Sequence, residues 1–327
     1  MPSQSIKKIC VLLFLYASTS LTACILNNKP PQIHHAYITN QGEHTVSVID
    51  TSTNTVIQTI KPGRAPVGVF VSGKLQRAYI TNVESQDITV INTANRQVID
   101  TIKLQGSPVG IVLSPDSKQL YVADWFDNQV LAINTQQTSE RKILKVGDAP
   151  AGLVISPDNT RLYIANRDSN DIAVIELANF TIESRIAVGK HPFGLALSRS
   201  GRLLASVNVQ DDTVSVINTQ SLAQKTIQVG YHPYCAAFNL NENLLYVTNT
   251  QDDSVSIVDV ESGKTIRTIK VGSTPEGIVI DHGKQRAYVA NWGSNNVSVI
   301  NTETNTLLST IKTGEKSRAF GVFIAQD

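Results

Sequence analysis

"AYITN" spans Ala36 to Asn40 and returns unchanged at Ala78 to Asn82, 42 residues later. With its tyrosine as a ruler, the chain reads Tyr37, Tyr79, Tyr121, Tyr163, Ala205, Tyr246 and Tyr288, at steps of 42, 42, 42, 42, 41 and 42. Three positions further on stand Asn40, Asn82, Asp124, Asn166, Asn208, Asn249 and Asn291, so the register survives the loss of Tyr at Ala205. Each copy holds four β-rich runs parted by turn residues; the third reads "VGIVLS", "LYVAD", "VLAIN" and "KILKV". Four short strands in a period of about 40 residues is the pattern of a propeller blade. Ser114-Pro115-Asp116 and Ser156-Pro157-Asp158 supply turns between first and second strands, and "DTSTN", "NTAN" and "NTETN" between third and fourth. Both faces of the strands are largely apolar, as expected of small sheets sandwiched between neighbours.

The two ends of the chain set the topology. It enters the repeats at "HHAYITN", already the second strand of a copy, while "AFGVFIAQ", Ala319 to Gln326, matches the first strand "PVGVFVSG", Pro66 to Gly73. The tail therefore completes the first copy and removes an edge that could pair with another chain. The expected fold is all-β: a seven-bladed propeller of four-stranded antiparallel blades over residues 36–327, its first blade closed by the C-terminal strand.

The copies resemble the YVTN-type β-propeller repeat proteins, extracytoplasmic and surface-layer-like propellers. The resemblance is carried by "YITN", by "YVTN" at Tyr246 to Asn249, by "YVAN" at Tyr288 to Asn291, and by a recurring "VG..P.G". It implies the fold and leaves the activity open, because one fold hosts many functions.

Upstream of the repeats, Lys7 and Lys8 precede an apolar run from Ile9 to Tyr16, and "ASTSLTAC" ends at Cys24. That is the order of a secretory signal, with a run too short to span a bilayer. Leu21-Thr22-Ala23-Cys24 resembles the lipobox of bacterial lipoproteins, which implies removal of residues 1–23 and a lipid, palmitate among its chains, on Cys24. Residues 24–35, with Pro30 and Pro31, read as a short stiff tether. Ile25 in place of Asp implies the outer membrane, facing the periplasm or the surface. The chain carries 28 basic and 27 acidic residues, and loss of the two lysines leaves 26 against 27. So balanced a charge argues against nucleic acid or another acidic polymer as partner.

Loops entering the first strand and loops between the second and third open on one side of a propeller, which makes that face the expected binding surface. The entry loops read "GRAPVG", "QGSPVG", "GDAPAG", "GKHPFG", "GYHPYC", "GSTPEG" and "KSRAFG". Pro turns the chain inward, and Gly two residues later lets inner strands crowd without a Cβ. The letters that vary supply the candidates: Arg64, Lys190, His191, Tyr231, His232, Tyr234, Glu276 and Arg318, with Trp125, Phe126, Arg167 and Trp292 from the second-to-third loops. Aromatic planes beside guanidinium and imidazole groups suit an anionic, sugar-like or peptide ligand.

The leading expectation is a lipid-anchored, monomeric binding or scaffold propeller that holds a partner protein, glycan or small anionic molecule on this face. A lyase or lactonase, of the kind other propellers host, would use His191, His232 and Glu276 as acid/base groups. Single-stranded nucleic-acid binding on stacked aromatics is disfavoured by the charge. His191, His232 and Cys235 could form a metal or nucleophile site, but no fourth ligand accompanies them and a lone Cys reads as a small buried apolar group. No metal and no cofactor is expected. The pairs Asp211-Asp212 and Asp252-Asp253 read as turn-shaping rather than Ca²⁺-binding.

Overall fold

The computed structural model describes residues 35–326. Every regular element among them is a strand. Blade 2 shows the unit: Pro66–Ser72 innermost, then Arg77–Asn82, Asp87–Asn92 and Gln97–Lys103, each antiparallel to its predecessor. Blades 3 to 7 repeat it over residues 108–145, 150–187, 192–228, 233–270 and 275–312. Blade 1 contributes His35–Asn40, Thr45–Asp50 and Thr55–Ile60 from the start of the ring. Inner, second and third strands are buried on both faces, while outer strands such as Gln97–Lys103 are largely exposed. Alternation of apolar and polar residues is therefore confined to the rim, which explains why the inner runs read as continuously apolar.

Each inner strand of blades 2 to 7 opens on a proline, where the lost N–H belongs to the first residue of a strand. The next residues bulge: Pro66 pairs with Asn82, and the ladder resumes only at Val69 with Ile80. A bulge of this kind re-aims a side chain, here residue 67, toward the axis.

The tail closes the ring. Asn40 bridges antiparallel to Ser317 and Ala36 to Ile324. The Tyr37 N–H donates to the Phe323 carbonyl at 2.9 Å and the Arg318 N–H to the Thr39 carbonyl at 2.8 Å. The register, however, differs from the one that matching "AFGVFIAQ" to "PVGVFVSG" predicts. Blade 2 sets the six residues Pro66 to Val71 against Asn82 to Ala78, whereas blade 1 sets the eight residues Ser317 to Ile324 against Asn40 to Ala36. Ser317, Arg318 and Ala319 thus take the places of Pro66, Val67 and Gly68, and two extra residues follow. They are absorbed where Phe320 to Val322 pairs in parallel with Gly68 to Phe70 of blade 2, with Gly321 at φ 121°, a conformation that suits glycine.

Closure uses only the two ends of the described chain, and residues from Ile33 onward form one compact unit. Phe323, fully buried in the tail, should matter far more than its position near the terminus suggests. Phe323→Ala is expected to cost about 3–5 kcal/mol. Leu308→Ala, at a side chain 48% exposed on the outer strand of blade 7, should stay within about 0.5 kcal/mol. Urea denaturation checks both, and equal midpoints would remove the tail from the folding core.

Candidate functional site

The mouth is built by a repeated local device. The residue before each inner-strand proline lies in the left-handed region: Ala65, Ala149, His191, His232 and Thr274 at φ 50° to 53°, and Lys316 before Ser317 at 57°. In blade 3, Gly106 at φ 101° does this work one residue earlier. The N–H of each strained residue is held by a side chain of the preceding blade. Asn170 Oδ1 accepts from His191, Asp212 Oδ1 from His232 and Asp253 Oδ1 from Thr274, at 2.8–2.9 Å. Asp211 and Asp252 accept the N–H groups of Lys190 and Tyr231 at 2.7 Å. The paired aspartates therefore shape turns and link blades, and their carboxylates are engaged by backbone.

The residue after each proline forms a ring about the axis: Val67, Val109, Ala151, Phe193, Tyr234, Glu276 and Arg318. Val67, Ala151, Phe193 and Phe320 share one hydrophobic cluster although they come from different blades, so the ring meets across the axis. Phe193 stands 4.3 Å from Tyr234, 5.1 Å from Phe320 and 5.8 Å from Trp125 between ring centroids. The Arg318 guanidinium grips the Glu276 carboxylate through Nε on Oε2 and Nη2 on Oε1, the second at 3.0 Å, and lies 5.9 Å above the Tyr234 ring. Burial pushes the Tyr234 phenol well above its ordinary range. The channel is plugged at this end by a charge pair set in aromatic packing.

Arg318 was expected in a loop, as the counterpart of Ala65. The two extra tail residues shift it to the place of Val67, beside Glu276. Its partner is thereby occupied on both oxygens and almost fully buried. The acid/base set of His191, His232 and Glu276 does not assemble around a free carboxylate: His191 Nε2 instead faces Asp168 at 4.0 Å. Among the described residues no three His, Cys, Asp or Glu side chains gather at metal-binding spacing, so His191, His232 and Cys235 form no such group. Burial pushes the Cys235 thiol up, away from the reactive thiolate.

The other candidates sort by exposure. Arg64 and Lys190 are exposed, and Tyr231 is 62% exposed. Trp125 and Trp292 occupy equivalent places in blades 3 and 7, both half-buried, and a cation covers each: Arg167 at 5.7 Å and Lys316 at 5.1 Å. Phe126 beside Trp125 is 77% exposed. Sequence reasoning gathered these residues onto one face but did not see the plug. Its signal was present, as the letter after Pro at a fixed step, yet the misaligned tail hid the seventh member. Cys24 lies outside the described residues.

Seven blades of four antiparallel strands, shut by the tail, define a seven-bladed β-propeller whose mouth is packed by the Glu276–Arg318 pair and its aromatic neighbours. A family model for YNCE-like beta-propellers matches residues 31–218, more than half of the chain, and the chain belongs to that family. No curated protein matches. Among solved structures, the hydrazine synthase of Kuenenia stuttgartiensis is similar with a TM-score of 0.73 and 22% identity, over 81% of this chain and 92% of that one. A functionally unknown protein from Desulfotomaculum acetoxidans DSM 771 gives 0.78 and 13%, over 89% and 99%. Virginiamycin B lyase from Staphylococcus aureus gives 0.66 and 17%, over 76% and 84%. At these identities the likeness shows the fold alone.

The plug makes a direct prediction. Glu276→Ala leaves the Arg318 charge unpaired among aromatic rings and should cost roughly 3 kcal/mol, whereas adding Arg318→Met should restore most of the loss. A double-mutant cycle by chemical denaturation measures it; additive losses would show that the pair is not coupled.

Proposed function

We propose that this chain is a lipid-anchored recognition propeller of a bacterial envelope, held by acyl chains on Cys24 and binding a partner protein on its loop face. One observation carries the choice of partner. Phe126 and Tyr231, at 77% and 62%, are the most exposed large apolar side chains among the described residues, and both stand on the mouth loops. Exposed aromatics ringed by Arg and Lys are the anchors that protein interfaces use. Asp211, Asp212, Asp252 and Asp253 are engaged by backbone N–H groups, and Arg64 and Lys190 stand exposed on the same face. On this side the axis is packed by Phe193, Tyr234, Phe320 and the Glu276–Arg318 pair. That favours a broad surface partner over a glycan fragment or small anion, and the engaged Glu276 carboxylate favours binding over acid/base catalysis.

The anchor rests on "LTAC" and on the short apolar run before it. Its location in the outer membrane follows the Ile25 reading. Two or more acyl chains give stable attachment where one does not. Cys24→Ala should abolish incorporation of labelled palmitate in cells; retained label would remove the anchor from this reading.

The partner is sought by photo-cross-linking in cells from benzoylphenylalanine placed at Phe126 or Tyr231. Both should capture the same protein, and the control at Ile143, 59% exposed on an outer strand, should not. The double variant Phe126→Ser, Tyr231→Ser should weaken that complex at least about tenfold, about 1.4 kcal/mol, with an unchanged melting temperature. Capture from Ile143 and not from the mouth would move the interface to the rim.

A further inference from the structure

Behind the plug the axis is not filled. A cavity of ≈ 280 Å³ runs along the inner strands, with Phe320 and Cys235 lining it next to the plug and His282 and Gln326 lining it at the opposite end. Between them its wall is apolar, including Leu153, Leu195, Ala237 and Phe238. Apolar cavities of about 150 Å³ stay dry and accept a benzene-sized guest, so this one has room for about ten carbon atoms.

The open end has a different character. His282 stands in the turn after the inner strand of blade 7, and burial, then the Arg199 guanidinium of blade 5, hold its imidazole below the ordinary value, with Asp281 opposing. Arg199 and His282 belong to blades that are not neighbours, so both lie where turns converge on the axis. Arg199 is exposed and has neither ion pair nor hydrogen bond among the described residues. Asp281 is buried in its own turn, where Oδ1 accepts the Lys284 N–H at 3.1 Å and Oδ2 has no hydrogen-bond partner among the described residues. The apolar tube thus ends at the His282 imidazole and the Gln326 amide, and Arg199 stands outside its lining, exposed in the turn of blade 5 that corresponds to the His282 turn of blade 7. The chain joins the ring at this same end, through His35 at the start of blade 1.

We propose that the central cavity is a second binding site, separate from the loop face, for a single-chain amphiphile with an acidic head. The chain lies along the axis, and the head sits between Arg199 and His282. Affinity then comes from buried methylenes, and selection for an acid from the Arg199 charge, which makes a charge-assisted contact that an alcohol does not.

The test uses the full chain, titrated calorimetrically with decanoate, decanol and a ten-carbon lysophosphatidylglycerol. Decanoate should bind saturably at one site. Ala237→Phe, which fills the tube, should weaken it at least about tenfold, and Arg199→Ser should weaken decanoate several-fold while leaving decanol unchanged. The mouth variant Phe126→Ser, Tyr231→Ser should change neither, which separates this site from the loop face. Where Ala237→Phe lowers the melting temperature, Leu195→Trp blocks the same tube from another blade. Absence of saturable decanoate binding, or binding indifferent to both blocking variants, overturns the site. Equal losses of decanoate and decanol in Arg199→Ser overturn the acidic head. Binding of the lysolipid as well as decanoate assigns a membrane source, and binding of decanoate alone assigns a free fatty acid.

Discussion

At Gly68, Gly110, Gly152, Gly194 and Gly277 neighbouring inner strands approach so closely at the axis that there is no room for a Cβ between them. A Cβ on Gly68 would collide with the Val109 carbonyl, and one on Gly110 with that of Ala151. The Val109 carbonyl also receives a staple between blades. Thr81 Oγ1 accepts the Gly68 N–H at 2.8 Å and donates to the Val109 carbonyl at 2.9 Å; Thr39 and Thr248 repeat the bridge to Val67 and Glu276. The threonine of the "YITN" strand and the glycine after proline are therefore two halves of one contact. Cys235 fills a glycine place, which is possible because its sulfur lies over Gly194, itself without a side chain.

With the strands fixed at that distance, one position per repeat decides what fills the axis. Val67, Val109 and Ala151 leave space on one side, and Phe193, Tyr234, Glu276 and Arg318 take it from the other. A carboxylate buried alone would be costly, so Glu276 is tolerable only with both oxygens on Arg318. The same arithmetic of backbone demand reshapes the rim. Left-handed residues before the prolines turn their N–H groups toward the loops, and aspartates are consumed in satisfying them. Arg64, Lys190, Tyr231 and Phe126 stand exposed on the same face as these engaged aspartates.

The architecture was legible because it rests on spacing. Steps of 42 and 41 between Tyr37 and Tyr288 fix the number of blades, and Asn40 to Asn291 hold the register where Tyr fails at Ala205. The tail's alignment was less legible for a physical reason. "AFGVF" imitates "PVGVF" letter by letter, but hydrogen bonds choose the register, and the bridges from Asn40 to Ser317 and Ala36 to Ile324 leave two residues over. Locally similar strings cannot reveal a surplus that only the distance between two bridges defines. The candidate site divided along the same line. Which residues share the loop face follows from strand order, whereas exposure does not: Tyr231 and Tyr234 lie three residues apart, one in solvent and one in the plug. The cavity could not be read at all, because a void is set by what converges from five inner strands and the tail.

Those two surplus residues tie closure to both ends of the axis. Had the tail copied blade 2, Phe320 would have occupied the place of Val67, and Arg318 would have stayed in a loop away from Glu276. Instead Arg318 enters the ring, and Phe320 packs on Phe193 and Tyr234 while lining the cavity behind them. Phe323 and Ile324, fully buried, return the chain to the blade 1 ladder and hold the excursion in place. The segment that shuts the ring is therefore the one that separates the mouth from the tube. A propeller closed by an ordinary inner strand would place a Val-like side chain there, with no guanidinium for Glu276. Closure by this tail makes the packed mouth and the lining of the cavity beside it consequences of a single register.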